Sequence, residues 1–338
     1  MVPLHGWVGF YRVLPACVIV TFDGSLKSHF QRIPETMHPR WWPTWIAVGM
    51  LWLLVQLPYR WLLGIGTVCG RLLMRVLPKR RQIAAINLQL CFPDLGQAEQ
   101  QALLRRHFES LGIAVLEIAL SCWATDRRLD RLFSVQGLEH IDAALKQGRG
   151  ILLLNGHFTC SEIAGRLLSL RIGRARALTR AQNNLVLEEV LIRGRRRYLD
   201  KIIRRGDIRS VVKGLRQNKI IWYAPDQNYG LRHSVFAPLF GVPAATTTAT
   251  SRLTRLTGSP VIPFLPLRLE KGKGYLLQVL PPLENFPSSD VYHDTARINR
   301  VIEEHVRRVP EQYLWIHRRF KDQPDGGARG YTKSAATL

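Results

Sequence analysis

Residues 149–172 read RGILLLNGHFTCSEIAGRLLSLRI. Four apolar residues in succession, Ile151 to Leu154, are too few for a helix and do not alternate with polar ones, so they predict a strand buried on both faces. Asn155 and Gly156 break the run, and from about Cys160 the apolar spacing becomes helical. A buried strand that turns into a helix is the repeating unit of an α/β sheet. Its turn lies at the carboxyl end of the strand, where such folds bind ligands.

The same texture continues downstream. ARAL (175–178), KIIWYA (219–224), PVIPFLPL (260–267) and YLLQVL (275–280) predict further strands, separated by helix-length segments that include Val186–Ile203 and Thr247–Leu256. ARINRVIEEHVRRVPEQYLWIHRRFK reads as a helix ended near Pro310, followed by an aromatic, basic segment. Upstream, the stretch from Arg80 to Trp123 carries apolar residues at three- and four-residue spacing. It is broken at CFPDLG, which predicts two or three amphipathic helices. The expected fold is a mixed α/β sheet flanked by helices.

With 46% hydrophobic residues among 338, the chain has enough apolar material for one large core. Its 48 Lys and Arg against 25 Asp and Glu give a net charge of +23, which draws polyanionic partners: nucleic acid, anionic lipid, or a phosphorylated or acidic substrate. Five cysteines without C-x-x-C spacing suggest neither a disulfide framework nor a zinc site, and fit a reducing compartment.

WWPTWIAVGMLWLLVQLPY, Trp41 to Tyr59, holds no charged residue over 19 positions, and the apolar texture resumes after Arg60 as far as Gly70. This predicts a membrane anchor over 41–70, with tryptophans suited to the interface. A proline near each end of the uncharged stretch leaves both a spanning and an interfacial placement open. Arg71, Arg75, Lys79, Arg80 and Arg81 follow it, so a spanning anchor would put the remainder in the cytoplasm. Residues 1–36 contain too short an apolar patch to span and read as an N-terminal extension, with Met37 as an alternative start. The body is expected over 71–322, and the polar stretch 323–338 as a mobile tail.

No phosphate loop, H-E-x-x-H zinc helix or G-x-S-x-G elbow occurs, and no metal site is expected. GIGTVCG (64–70) has the wrong glycine spacing for a dinucleotide site and reads as small-residue packing in an apolar helix. His157 and Glu162 therefore hold attention. Five residues along a helix advance about 500°, so the two side chains could meet only if His157 precedes the helix. In that arrangement His157 is a general base and Glu162 orients it. With no serine elbow, the nucleophile would be a hydroxyl of the substrate. The alternative is a capping box, Thr159-x-x-Glu162, and the two roles are compatible. Arg180 and the basic segment containing Arg195 supply candidate positive charge. Asp226, Gln227 and Asn228 in WYAPDQNYG form a candidate site wall, and Thr246 to Thr248 a helix cap or anion site.

These motifs, INLQLCFPDL, NGHFTCSEIAGR, WYAPDQNYG, AATTTATSRL and PEQYLWIHRRFK, resemble in identity and order the late acyltransferases of lipid A biosynthesis, from Met37 to about Lys321. The resemblance implies a glycerolphosphate-acyltransferase-like α/β fold with an N-terminal membrane helix at the bacterial inner membrane, its catalytic domain on the cytoplasmic side. It implies acyl transfer from acyl-acyl carrier protein, with no cofactor, to a 3-hydroxyacyl hydroxyl of the phosphorylated, Kdo-bearing lipid A precursor. The implied partners are the carrier protein, that lipid and the anionic membrane, with no nucleic acid.

The family's H-x-x-x-x-[DE] motif falls on His157 and Glu162, and its essential arginine on Arg195, with Arg180 competing. Asn183, Asn184, Asp226, Gln227 and Thr247 are the candidate substrate-binding residues. Two departures, Gln182-Asn183-Asn184 where the family often has Asn-Asp-Asn and Asn228 where it often has Asp, bear on substrate preference. The rivals are a related membrane acyltransferase acting on an ornithine lipid or glycolipid, and a non-catalytic basic module for membrane recruitment.

Overall fold

Ile151–Leu154 forms a strand, fully buried and fourth of seven in the main sheet of a computed structural model that describes residues 33–326 and Tyr331. The expected N-terminal extension therefore lies almost wholly outside the described residues. The chain divides into two compact units, Met1–Ile46 and Ala47–Leu338. In the described part of the first, the Trp45 indole donates to the carbonyl of Thr36 at 2.9 Å.

The strands are β1 (Phe133–Gln136), β2 (Ile151–Leu154), β3 (Ala175–Thr179), β4 (Leu199–Arg204), β5 (Ile220–Tyr223), β6 (Ser234–Leu239), β7 (Val242–Thr247), β8 (Val261–Arg268) and β9 (Tyr275–Val279). The main sheet has the order β1-β9-β8-β2-β5-β3-β4. The five strands from β8 to β4 run parallel, while β9 is antiparallel to β8 and β1 is parallel to β9. Burial on both faces is what makes β2 and β8 continuous apolar runs.

The helices are α1 (Trp42–Val55), α2 (Tyr59–Val76), α3 (Pro78–Cys91), α4 (Gln97–Trp123), α5 (Asp126–Asp130), α6 (Leu138–Lys146), α7 (Ser161–Ile172), α8 (Leu185–Arg195), α9 (Ile208–Arg216), α10 (Ala249–Thr257) and α11 (Val291–Arg308). This is the expected mixed α/β fold with a parallel-dominated sheet.

Three expectations change. The segment Val186–Ile203 is not one helix: α8 stops at Arg195, and Leu199–Arg204 is the edge strand β4. Thr246 and Thr247 lie in β7 of a separate hairpin. Phe240 and Gly241, both at positive φ, make its two-residue turn, and helix α10 begins only at Ala249. Tyr331, within the stretch expected to be a mobile tail, is buried. Its hydroxyl donates to Asn87 and accepts from the Phe320 amide, both at 2.9 Å.

The 41–70 segment is likewise two helices rather than one, parted at Gln56–Pro58 because Pro58 has no N–H with which to extend α1. Among the described residues no single helix is long and apolar enough to cross a membrane; α2 and α3 pass that test together but are bent by 97°. Helix α2 packs along α4 through Gly66, Gly70 and Gly112, in keeping with the small-residue reading of GIGTVCG. A Cβ on Gly112 would overlap the carbonyl oxygen of Gly66, and one on Gly70 that of Phe108.

Alanine ordinarily favours a helix over glycine by about 1 kcal/mol. Here the obstacle is backbone, so Gly112→Ala should destabilise by about 3 kcal/mol in urea unfolding. Gly64→Ala, whose Cβ would meet nothing within 4 Å, should be neutral or stabilising.

Candidate active site

Strands β2 and β5 are neighbours, with Leu154 in register with Tyr223. His157 and Asp226 each lie three residues beyond that pair, at the same carboxyl edge of the sheet. The Nδ1 of His157 is 2.5 Å from Oδ1 of Asp226, and its backbone N–H donates to Oδ2 at 2.8 Å. The carboxylate therefore holds both ring and backbone. Gly156 permits the approach, since a Cβ there would stand 2.8 Å from the Phe158 ring and 3.5 Å from Oδ2 of Asp226.

The C-terminal aromatic segment fastens the other side of the turn. The Thr159 N–H donates to the Gln312 carbonyl at 2.7 Å, and the Leu314 N–H to that of His157 at 2.9 Å. Asp226 is buried, while the His157 side chain is 33% exposed.

Burial opposes the charge on His157, but the charge and hydrogen bond of Asp226 outweigh it and raise the imidazole above its ordinary value near 6.5. Burial would raise Asp226, and the opposing charge and hydrogen bonds of His157 hold it at about 2. Cys160, three residues on, is fully buried and pushed up to about 12, so it serves packing and not nucleophilic chemistry.

Glu162 takes a different partner from the one expected. Helix α7 starts at Ser161, which puts Glu162 in the first turn facing the end of α8. Its oxygens accept from Nε and Nη2 of Arg195 at 2.8 and 2.6 Å and from the Tyr198 hydroxyl. Burial alone would raise Glu162, but Arg195 lowers it, so the pair stays ionised. The pairing of His157 with Glu162 is thus replaced by two pairs, His157–Asp226 and Glu162–Arg195, at the two ends of one turn.

The capping box does not form either. The Thr159 hydroxyl lies 2.7 Å from that of Ser110 and accepts from Arg268 at 3.2 Å. Ser161 accepts from the Phe158 N–H instead, at 3.0 Å.

Arg180 is exposed at the end of β3, and Asn183 is exposed after it. Asn184 is occupied as the N-cap of α8, accepting from the Val186 and Leu187 amides at 3.1 Å. Thr247 accepts from the Ala249 amide at 3.2 Å. Gln227 is half-buried next to Asp226. Sequence reasoning missed His317, whose Nε2 accepts from the Asn228 N–H at 3.1 Å and which burial lowers to about 4. It also missed buried Arg319, which donates to the Ala245 carbonyl at 2.6 Å. The signal was the aromatic, basic texture of IHRRFK after α11.

Residues 29–322 match the family described as bacterial lipid A biosynthesis acyltransferase. The chain is 40% identical to the lipid A biosynthesis lauroyltransferase of Escherichia coli K12 over 86% of its own length and 95% of that protein. It is 39% identical to the palmitoleoyltransferase of the same strain, over 88% and 97%, and 28% identical to the myristoyltransferase, over 91% and 97%. Among solved structures it aligns with the 1-acyl-sn-glycerophosphate acyltransferase of Thermotoga maritima at a TM-score of 0.37 and 14% identity, covering 70% of this chain and 97% of that one. The enzyme reading thereby displaces that of a non-catalytic basic module: the chain belongs to the bacterial lipid A biosynthesis acyltransferase family.

Proposed function

We propose that this acyltransferase moves a fatty acyl chain from acyl-acyl carrier protein to a 3-hydroxyacyl hydroxyl of the Kdo-bearing lipid A precursor. The observation that carries the reading is the clamped His157, whose Nδ1 is committed to Asp226 while its partly exposed ring has no hydrogen bond at Nε2 among the described residues. Nε2 takes the proton of the acceptor hydroxyl as its oxygen attacks the thioester carbonyl. The tetrahedral intermediate then expels the carrier thiolate, which recovers the proton from the imidazolium. Asp226 holds the tautomer and stabilises the transient positive charge. Arg195, steadied by Glu162 through Nε and Nη2, keeps Nη1 for negative charge on the intermediate or on a lipid phosphate.

The domain works, in this reading, as a glycerolphosphate-acyltransferase-like body on the cytoplasmic face of the inner membrane. Met50, Leu53, Trp61, Val68, Leu72 and Val76 are exposed on α1 and α2; Arg71 and Arg75 lie among the last of them, and Lys79, Arg80 and Arg81 follow. Because α2 commits its other side to α4, an interfacial placement on an anionic leaflet suits it better than a span.

The purified protein should acylate the Kdo-bearing precursor from a panel of acyl-carrier donors, and His157→Ala should abolish the product by mass spectrometry. Parent-level transfer by His157→Ala would sink the proposed base. Glu162→Gln separates the two pairs. It should lower kcat about a hundredfold by loosening Arg195, yet leave the acid limb of the pH–rate profile where it is. A shifted limb would restore Glu162 as the partner of His157.

A further inference from the structure

A further feature runs from the carboxyl edge of the sheet along its flank. Strand β4 ends there at Arg204, and α9 begins four residues later, capped by Asp207, whose carboxylate accepts from the Ser210 N–H at 3.0 Å. The guanidinium of Arg205 lies 4.1 Å from the centre of the Tyr229 ring, tying this entrance to the loop that carries Asp226. Helix α9 buries Val211, Gly214 and Leu215 and turns a different face outward.

On that outward face Ile208 and Val212 stand one turn apart, and Arg209, Lys213 and Arg216 recur at spacings of four and three. Together with Leu256 of α10 they line an open groove of about 470 Å³. Ile208 is 45% and Leu256 56% exposed, so the floor is apolar and uncovered. Among the described residues none of the three rim cations is in an ion pair, and Asp207 is the carboxylate at the entrance. Arg252, one turn before Leu256 on α10, adds a fourth cation.

We infer that this groove docks an acidic amphipathic helix of the acyl carrier protein. The inference rests on the carrier protein being the donor, as proposed above. An apolar floor edged by a row of unpaired cations complements a helix with an apolar stripe flanked by carboxylates. A bilayer is less well matched to a concave strip, and the tryptophan-bearing apolar surface lies on α1 and α2 instead. The end of the groove at Ile208 and Arg209 is the one toward the carboxyl edge of the sheet, so the thioester arm of a seated carrier has to run from there past the end of β4 and the Tyr229 loop to His157.

The test compares the full-length enzyme with R209E/K213E/R216E, all exposed and outside the His157 and Glu162 clusters. The donor KM of the variant should rise at least about tenfold, and the parent's own donor KM should climb with salt while the variant's does not. kcat, the acceptor KM and the rate with an acyl-pantetheine thioester lacking the protein should stay within twofold. An unchanged donor KM in a variant that turns over normally overturns the groove alone. Weaker flotation with anionic vesicles at an unchanged donor KM makes it a membrane contact and also overturns the docking site. If the parent uses acyl-coenzyme A but no acyl-carrier donor, the donor reading fails and the groove assignment falls with it.

Discussion

Asp226→Asn should lower kcat by about 10⁴-fold with little loss of stability, the scale seen when the carboxylate behind a catalytic histidine becomes an amide. The geometry says why. The backbone N–H of His157 needs an acceptor, which Oδ2 supplies at 2.8 Å, so the amide oxygen of the asparagine takes that place. The amide NH₂ is then turned toward Nδ1, 2.5 Å away in the parent. An N–H facing Nδ1 selects the tautomer with its proton on Nε2, and that nitrogen can no longer accept one from a hydroxyl.

The pH dependence carries the second half of the argument. In the parent, Asp226 raises His157 above 6.5, and only the neutral imidazole is a base, so kcat/KM should rise with pH through a limb above 6.5 and then level off. Without the carboxylate charge, burial is left unopposed, and the limb of the residual activity should move below 6.5. Rate measurements from pH 5 to 9 on both proteins decide it. A variant within tenfold of the parent would remove Asp226 from the mechanism.

That Asp226, and not Glu162, stands behind His157 was not legible from spacing. Glu162 is five residues from His157 but separated from it by a helix start that sends its side chain to Arg195. Asp226 is 69 residues away and becomes a neighbour only because β2 and β5 are adjacent and in register. Its place after a strand was readable; the strand order was not, since nothing local encodes which strands pair. Continuous apolar runs revealed β2, β5 and β8. The edge strand β4 escaped because its sequence, LDKIIR, mixes exposed charges with apolar residues at spacing that also suits a helix. His317 and Arg319 were hidden for a related reason, because irregular backbone after α11 has no periodicity to betray which side chains turn inward.

The largest stability effect should come from a pair the sequence did not advertise. Arg268, at the end of β8, meets the buried Glu117 of α4 through two hydrogen bonds of 2.6 and 2.8 Å, and Tyr275 donates a third at 2.6 Å. The same guanidinium donates to Ser110 at 2.8 Å and Thr159 at 3.2 Å, so the pair stands directly behind the His157 turn. Arg268→Met leaves the Glu117 carboxylate, 1% exposed, without its cation, and should cost about 4 kcal/mol. In thermal unfolding that is a fall of roughly 6 °C for a chain of this size.

Removing both charges is a different case. R268M/E117L exchanges a desolvated ion pair for apolar packing and should recover part of the loss, the remainder going to the buried Tyr275 hydroxyl left without its acceptor. The double variant also separates fold from function. Thr159 keeps Ser110 as a partner but loses the guanidinium, so any fall in kcat of the folded double variant measures what Arg268 contributes to holding the turn. If the single variant unfolds within 1 kcal/mol of the parent, the carboxylate has found another partner and the buried pair is not what secures this side of the site.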